Sequence, residues 1–140
     1  MSLEEYPQPE TKHAKETPVY SYQCRVTNVV DGDTMDAKID LGFEMCFMDR
    51  VRLRDIDTRE IHFVPHDSEE YDRGMVHKES AKEWLKECAK HGEGEYPRVL
   101  YSHNFRRGAY GRIIGDFWCD EKEQWLTRYL YNEHDDVELF

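Results

Sequence analysis

The chain has 140 residues, is 39% hydrophobic and 13% aromatic, and carries a formal net charge of -11. That length supports one domain with a modest core. No run of about 18 apolar residues occurs and Met1 to Thr17 has no apolar stretch, so neither a membrane span nor a secretory signal is readable, and a cytoplasmic setting is expected. Cys24, Cys46, Cys88 and Cys119 form no Cys-x-x-Cys pair. This spacing excludes a zinc knuckle or a redox dithiol and predicts reduced, mostly buried thiols.

An acidic total argues against a polyanionic partner, but its distribution changes the argument. Residues 1–17 and 120–140 together hold -7 of the charge. Between them, Tyr96 to Gly115 contains Arg98, Arg106, Arg107 and Arg112 without an acid, and Arg50, Arg52, Arg54 and Arg59 fall within ten residues. Local positive potential is compatible with the acidic whole.

In chain order, residues 1–17 read as a flexible acidic tail ahead of a domain spanning 18–140. Tyr20 to Val30 and Thr34 to Leu41 are rich in β-forming residues, and Asp31-Gly32-Asp33 supplies a turn between them. Gly42 breaks the second strand. Phe43 to Ile56 predicts a third, with Val51 and Leu53 facing opposite to Arg50, Arg52 and Arg54. Ile61 to Arg73 reads as an exposed polar loop. Met75 to Lys90 sets Ala81, Trp84, Leu85 and Cys88 at helical spacing, an amphipathic helix laid on a barrel. Arg98 to His103 and Arg112 to Cys119 read as further strands, and Trp125 to Glu133 as a short helix with Trp125, Tyr129 and Leu130 inward.

Three segments carry chemistry: Val30-Asp31-Gly32-Asp33-Thr34, Arg52-Leu53-Arg54-Asp55-Ile56-Asp57-Thr58-Arg59-Glu60, and Tyr110-Gly111-Arg112. A phosphodiester repels nucleophiles, and its transition state gathers charge on the non-bridging oxygens. Arginine forks stabilise that charge, a carboxylate deprotonates water, and a hard divalent ion on oxygen ligands clamps the phosphate. Singly, each segment is as well explained by a turn, a cap or a strand end. His62 and His66, with Asp67 adjacent, lack a strong third and fourth ligand for zinc.

In this order, with an amphipathic helix between the second and third, the segments over residues 20–140 resemble the staphylococcal nuclease (thermonuclease) family. The resemblance implies an α+β fold: a five-stranded, mostly antiparallel OB-type barrel with two or three packed helices. It implies Asp33, Asp57 and the Thr58 carbonyl as ligands of a divalent metal, calcium first, with magnesium or manganese as substitutes. Glu60 then takes the place of the residue that activates water, and Arg52 and Arg112 those that grip the phosphate. Tyr110, Arg59 and Arg107 become candidate substrate contacts. The implied activity is an endonuclease acting on single- or double-stranded DNA or RNA and leaving 3′-phosphates.

Three departures stand out. Arg59 replaces the family's usual proline, Gly108 replaces an acid before Tyr110, and the sequence stops at Phe140, short of the final long helix of the best-known members. The competing expectations are a catalytically silent OB-fold platform for nucleic acid or protein and an acidic mimic of nucleic acid.

Overall fold

Asp31-Gly32-Asp33 makes the turn its composition predicts. The computed structural model describes residues 20–88, 98–101, 113–119 and 121–139. Strand β1 (Tyr20–Asp31) pairs antiparallel with β2 (Thr34–Gly42), from Asp31 opposite Thr34 to Cys24 opposite Ile39. The register slips twice along β1, between Val26 and Asn28 and between Val29 and Asp31. Such bulges bend a strand, and β1 pairs at its other end, Tyr20–Gln23, with β5 (Arg98–Tyr101). Gly42, Phe43 and Glu44 all have positive φ, at 81°, 55° and 64°, and carry the chain from β2 into β3 (Met45–Leu53).

β3 also pairs with β6 (Ile113–Cys119), and β6 with β5, so the ring of pairings runs β1–β2–β3–β6–β5 and back to β1. The sheet curls accordingly into a barrel-like layer. It is not antiparallel throughout: β3 and β6 run parallel from Val51 opposite Ile113 to Leu53 opposite Gly115. A parallel neighbour needs a crossover of about a dozen residues or more, and the long segment between these strands, with a helix in it, supplies one. Two short strands, β4 (Ile56–Asp57) and β8 (Glu138–Leu139), pair with each other, and β7 (Gln124–Trp125) extends β6.

Helix α1 (Glu69–Cys88) starts six residues before the predicted Met75. Ser68 explains the difference: its hydroxyl accepts the Tyr71 amide, and its carbonyl accepts the Asp72 amide. Glu69, Glu70 and Asp72, which read as loop acids, occupy the first turn, where the helix dipole favours them. The predicted stripe of Ala81, Trp84, Leu85 and Cys88 is buried against Met35, Ile39, Val51 and Phe117 of the sheet and Leu126 and Leu130 of α2 (Leu126–Glu133). No helix among the described residues is long and apolar enough to cross a membrane.

Two expectations need correction. Arg54 does not share the face of Arg50 and Arg52 but is 1% exposed. The strand ends at Leu53, Asp55 takes a positive φ of 63°, and Arg54 leaves the alternation as its amide bonds the Gly115 carbonyl. Its charge faces Asp116, which burial pushes up to about 6. The cysteines are not all reduced. Cys88 and Cys119 are disulfide-bonded, because the end of α1 packs on the end of β6, while Cys24, buried, and Cys46, exposed, lie outside the disulfide.

The disulfide closes a separation of 31 residues, which by chain entropy is worth about 3–4 kcal/mol. Cys88→Ser should lower stability by up to that amount in urea titrations under non-reducing conditions. Identical midpoints for wild type and variant, with free Cys88 and Cys119 thiols in the wild type, would refute the cross-link.

Candidate functional site

The turn that starts the first hairpin also starts the site. A Cβ on Gly32 would lie 2.8 Å from His77 Cβ and 2.9 Å from Thr58 Cγ2, so glycine lets the turn press on α1 and on the chain beyond β4. Asp33 sits beneath. Its amide donates to Asp31 Oδ1 at 3.1 Å, its Oδ1 accepts the Thr34 hydroxyl at 3.0 Å, and its Oδ2 accepts the Thr58 amide at 2.9 Å. Arg52 lies opposite Thr34 in the β2–β3 register. Its Nη2 is 3.4 Å from Asp33 Oδ2 and 3.3 Å from Asp57 Oδ1, while Nη1 donates to the Leu53 carbonyl at 2.8 Å. One guanidinium thus bridges the two carboxylates expected to hold a metal.

The acids interact strongly. Burial, with the hydrogen bond and negative charge of Asp33, pushes Asp31 up to about 7. Burial works against ionisation of Asp33 too. There the Asp31 hydrogen bond, the Arg52 charge, the Thr58 amide and the Thr34 hydroxyl outweigh it and hold the carboxyl below its ordinary value. Asp57 is raised by burial and by Asp33, against the pull of Arg52. Glu60 adds to the negative field at both Asp31 and Asp57. It lines, with Asp31, Thr34, Arg50, His62 and Phe63, an open cleft of about 1170 Å³.

Residues 58–62 belong to no helix or strand, yet every amide in the run has a side-chain acceptor. Thr58 donates to Asp33, Arg59 to His77 Nδ1 (3.1 Å) and Glu60 to Glu70 Oε1 (3.1 Å). Ile61 and His62 both donate to Glu60 Oε1, at 3.0 and 2.7 Å. Gly74 of α1 closes on the same run: a Cβ there would lie 2.8 Å from the Arg59 carbonyl oxygen and 2.9 Å from that of Glu60. The Arg59 guanidinium is turned to acids, 3.7 Å from Glu70 and 4.0 Å from Asp136.

The structure therefore brings Arg52, Asp33, Asp57, Thr58 and Glu60 together and sets Arg59 behind them. Arg107, Tyr110 and Arg112 lie outside the described residues. His62 lines the cleft, whereas His66 stacks on Tyr71 with ring centroids 4.4 Å apart. The metal-like trio is elsewhere: ligand atoms of His77, His134 and Asp136 lie within 4.8 Å of one another. Because His77 Nδ1 accepts the Arg59 amide, its proton belongs on Nε2, which faces Asp136 Oδ1 at 2.8 Å. A nitrogen carrying that proton donates a hydrogen bond and does not ligate a cation, and Arg73 already grips both Asp136 oxygens.

Sequence reading missed Asp31 as a site acid, though its place two residues from Asp33 was a usable signal. His77 and Asp136 carried none, one being a polar residue on a helix and the other part of an acidic run. No protein-family model and no curated protein matches this chain.

Two outcomes follow from this geometry. Asp31 holds its proton in the fold to about pH 7 and loses it near 3.8 when unfolded. Its stabilising contribution is therefore complete below the unfolded value and is lost as pH rises from there through 7. In chelator-treated protein, urea midpoints of wild type should fall relative to Asp31→Asn across that window; parallel profiles would contradict the shift. For Gly74→Ala, the helix gains about 1 kcal/mol of propensity, but the new methyl meets two backbone carbonyls and overpacking costs about 1–3 kcal/mol. A net loss of about 1 kcal/mol is expected by denaturation, and a gain would show that the loop yields.

Proposed function

We propose that this chain is a metal-dependent phosphodiesterase of the staphylococcal nuclease type, an endonuclease acting on DNA or RNA and built on an OB-type barrel. One observation carries the reading: two of the three motif segments deliver Asp33, Arg52, Asp57 and Glu60 to one place beside an open cleft. The ring of pairings with a parallel closure between β3 and β6 supports the OB topology.

The donor set suits a hard cation. Asp33, Asp57 and the Thr58 carbonyl offer oxygen alone, and the proton affinity of Asp31 and Asp57, raised first by burial and then by the neighbouring carboxylates, includes a repulsion that a divalent ion would offset. When bound, calcium, or magnesium or manganese in its place, would polarise the phosphate and its attacking water. Arg52 already stands at the carboxylates, and its planar fork is suited to two phosphate oxygens as charge builds in the transition state. The motif assigns Arg112 the opposite side of the phosphate. Glu60 takes the proton from the attacking water. Its Oε1 is held by two amides, which orients the carboxylate before substrate arrives. The stiffness that proline gives the family's loop comes here from Gly74, His77 and Glu70 packed on Arg59 and Glu60.

The purified chain should cleave single- or double-stranded DNA or RNA with calcium, magnesium or manganese and fail to do so with chelator. Glu60→Gln should lower kcat by about 10² to 10⁴ with binding retained, and Arg52→Lys by about 100-fold. Cleavage at the wild-type rate in both variants would place the activity elsewhere; nucleic-acid binding without any cleavage would make the chain a binding module.

A further inference from the structure

The loop bearing Glu60 is held from behind by the far end of the sequence. His77 is wholly buried in α1, with Nδ1 accepting the Arg59 amide and Nε2 facing Asp136 Oδ1. Asp136 is in turn fixed by Arg73, whose Nε is 2.7 Å from Oδ2 and Nη2 3.0 Å from Oδ1. Two residues later the backbone pairs with the site itself, Glu138 opposite Asp57 and Leu139 opposite Ile56. Residues 136–139 thus grip the run 57–60 twice, once by strand pairing at Asp57 and once through His77 at Arg59.

We propose that His77 and Asp136 are positioning residues for Glu60, so that the 136–139 segment is a built part of the site. Arg59 and Glu60 have no strand or helix to set their peptide planes, and a side-chain acceptor is the device that replaces one. The imidazole suits this role because it spans the distance between a backbone amide and a carboxylate and bonds to each with a different ring nitrogen. Packing leaves it little freedom, since Gly32 closes on its Cβ. Asp136 holds the tautomer, and Arg73 holds Asp136. A displacement of about 1 Å at a catalytic group costs about a hundredfold in rate, so a link that never touches substrate governs turnover. The consequence for rate rests on the reading of Glu60 as the base; the mechanical link does not.

The test uses the full chain and two kinds of readout. In the wild type, imidazole nitrogen shifts should show His77 protonated at Nε2 and not at Nδ1, a measurement that needs no variant. His77→Phe keeps an aromatic side chain and removes both bonds, and Asp136→Ala removes the carboxylate. In each, amide exchange at Arg59 and Glu60 should accelerate by about tenfold or more while protection in the paired β1 and β2 strands holds. Asp136→Asn, which retains an acceptor for Nε2, should restore part of the protection. Cleavage of single-stranded DNA with calcium should show kcat lowered by about 10- to 100-fold with KM little changed. Unaltered exchange at Arg59 in a folded His77→Phe, exchange raised equally throughout the barrel, or a proton on Nδ1 in the wild type would each overturn the proposal. Selective loosening of Arg59 and Glu60 in a chain whose wild type cleaves nothing would support the link and defeat the nuclease reading.

Discussion

Five consecutive amides, Thr58 to His62, donate to side chains rather than to a strand or a helix. Thr58 and Ile61 are buried and Arg59 half-buried, where N–H groups demand partners, while Glu60 and His62 are exposed; the partners of the run come from the first turn, from two places on α1 and from Glu60 itself. A segment held this way has its shape dictated by tertiary neighbours. The two glycines that let the neighbours approach, Gly32 and Gly74, matter because a Cβ at either would meet atoms within 3 Å. Hairpin, helix and loop are therefore one mechanical unit, and the carboxylates it presents depend on all three.

The charge arrangement has the same economy. Asp31, Asp33, Asp57 and Glu60 would repel one another in a partly buried setting. Three features temper this: the raised proton affinity of Asp31, the Arg52 guanidinium between Asp33 and Asp57, and hydrogen bonds that favour the ionised Asp33. Under the proposed nuclease reading, a cation would meet carboxylates already gathered and oriented. The charge is also unevenly spread: the Arg52 guanidinium stands among these carboxylates, and much of the net charge sits at the two ends of the sequence.

Barrel closure connects these features. Because β6 returns parallel to β3, Arg52 sits on a strand paired on both sides, and its main chain cannot drift. The crossover that parallel pairing requires carries α1, which in turn supplies Glu70, Gly74 and His77 to the loop. The disulfide at Cys88 and Cys119 ties the other end of α1 to β6.

The sequence by itself determined the local pieces. Alternation and turn chemistry marked β1 and β2 and helical spacing marked the buried stripe of α1, because these signals are written in near neighbours along the chain, while Asp33, Arg52, Asp57, Thr58 and Glu60 were singled out by the resemblance of their motifs to the nuclease family. Tertiary structure decided what depends on distant partners. The raised proton affinity of Asp31 follows from burial beside Asp33, the inward course of Arg54 goes with the end of the strand at Leu53 and the positive φ of Asp55, and the cross-link follows from two elements meeting end to end. Asp136 is the clearest case. In the sequence it is one acid among seven near the end, and only pairing between β4 and β8 brings it under His77 and Arg73. Periodicity cannot report a contact of that kind, because the interaction joins residues 59 positions apart and leaves no regular spacing to read.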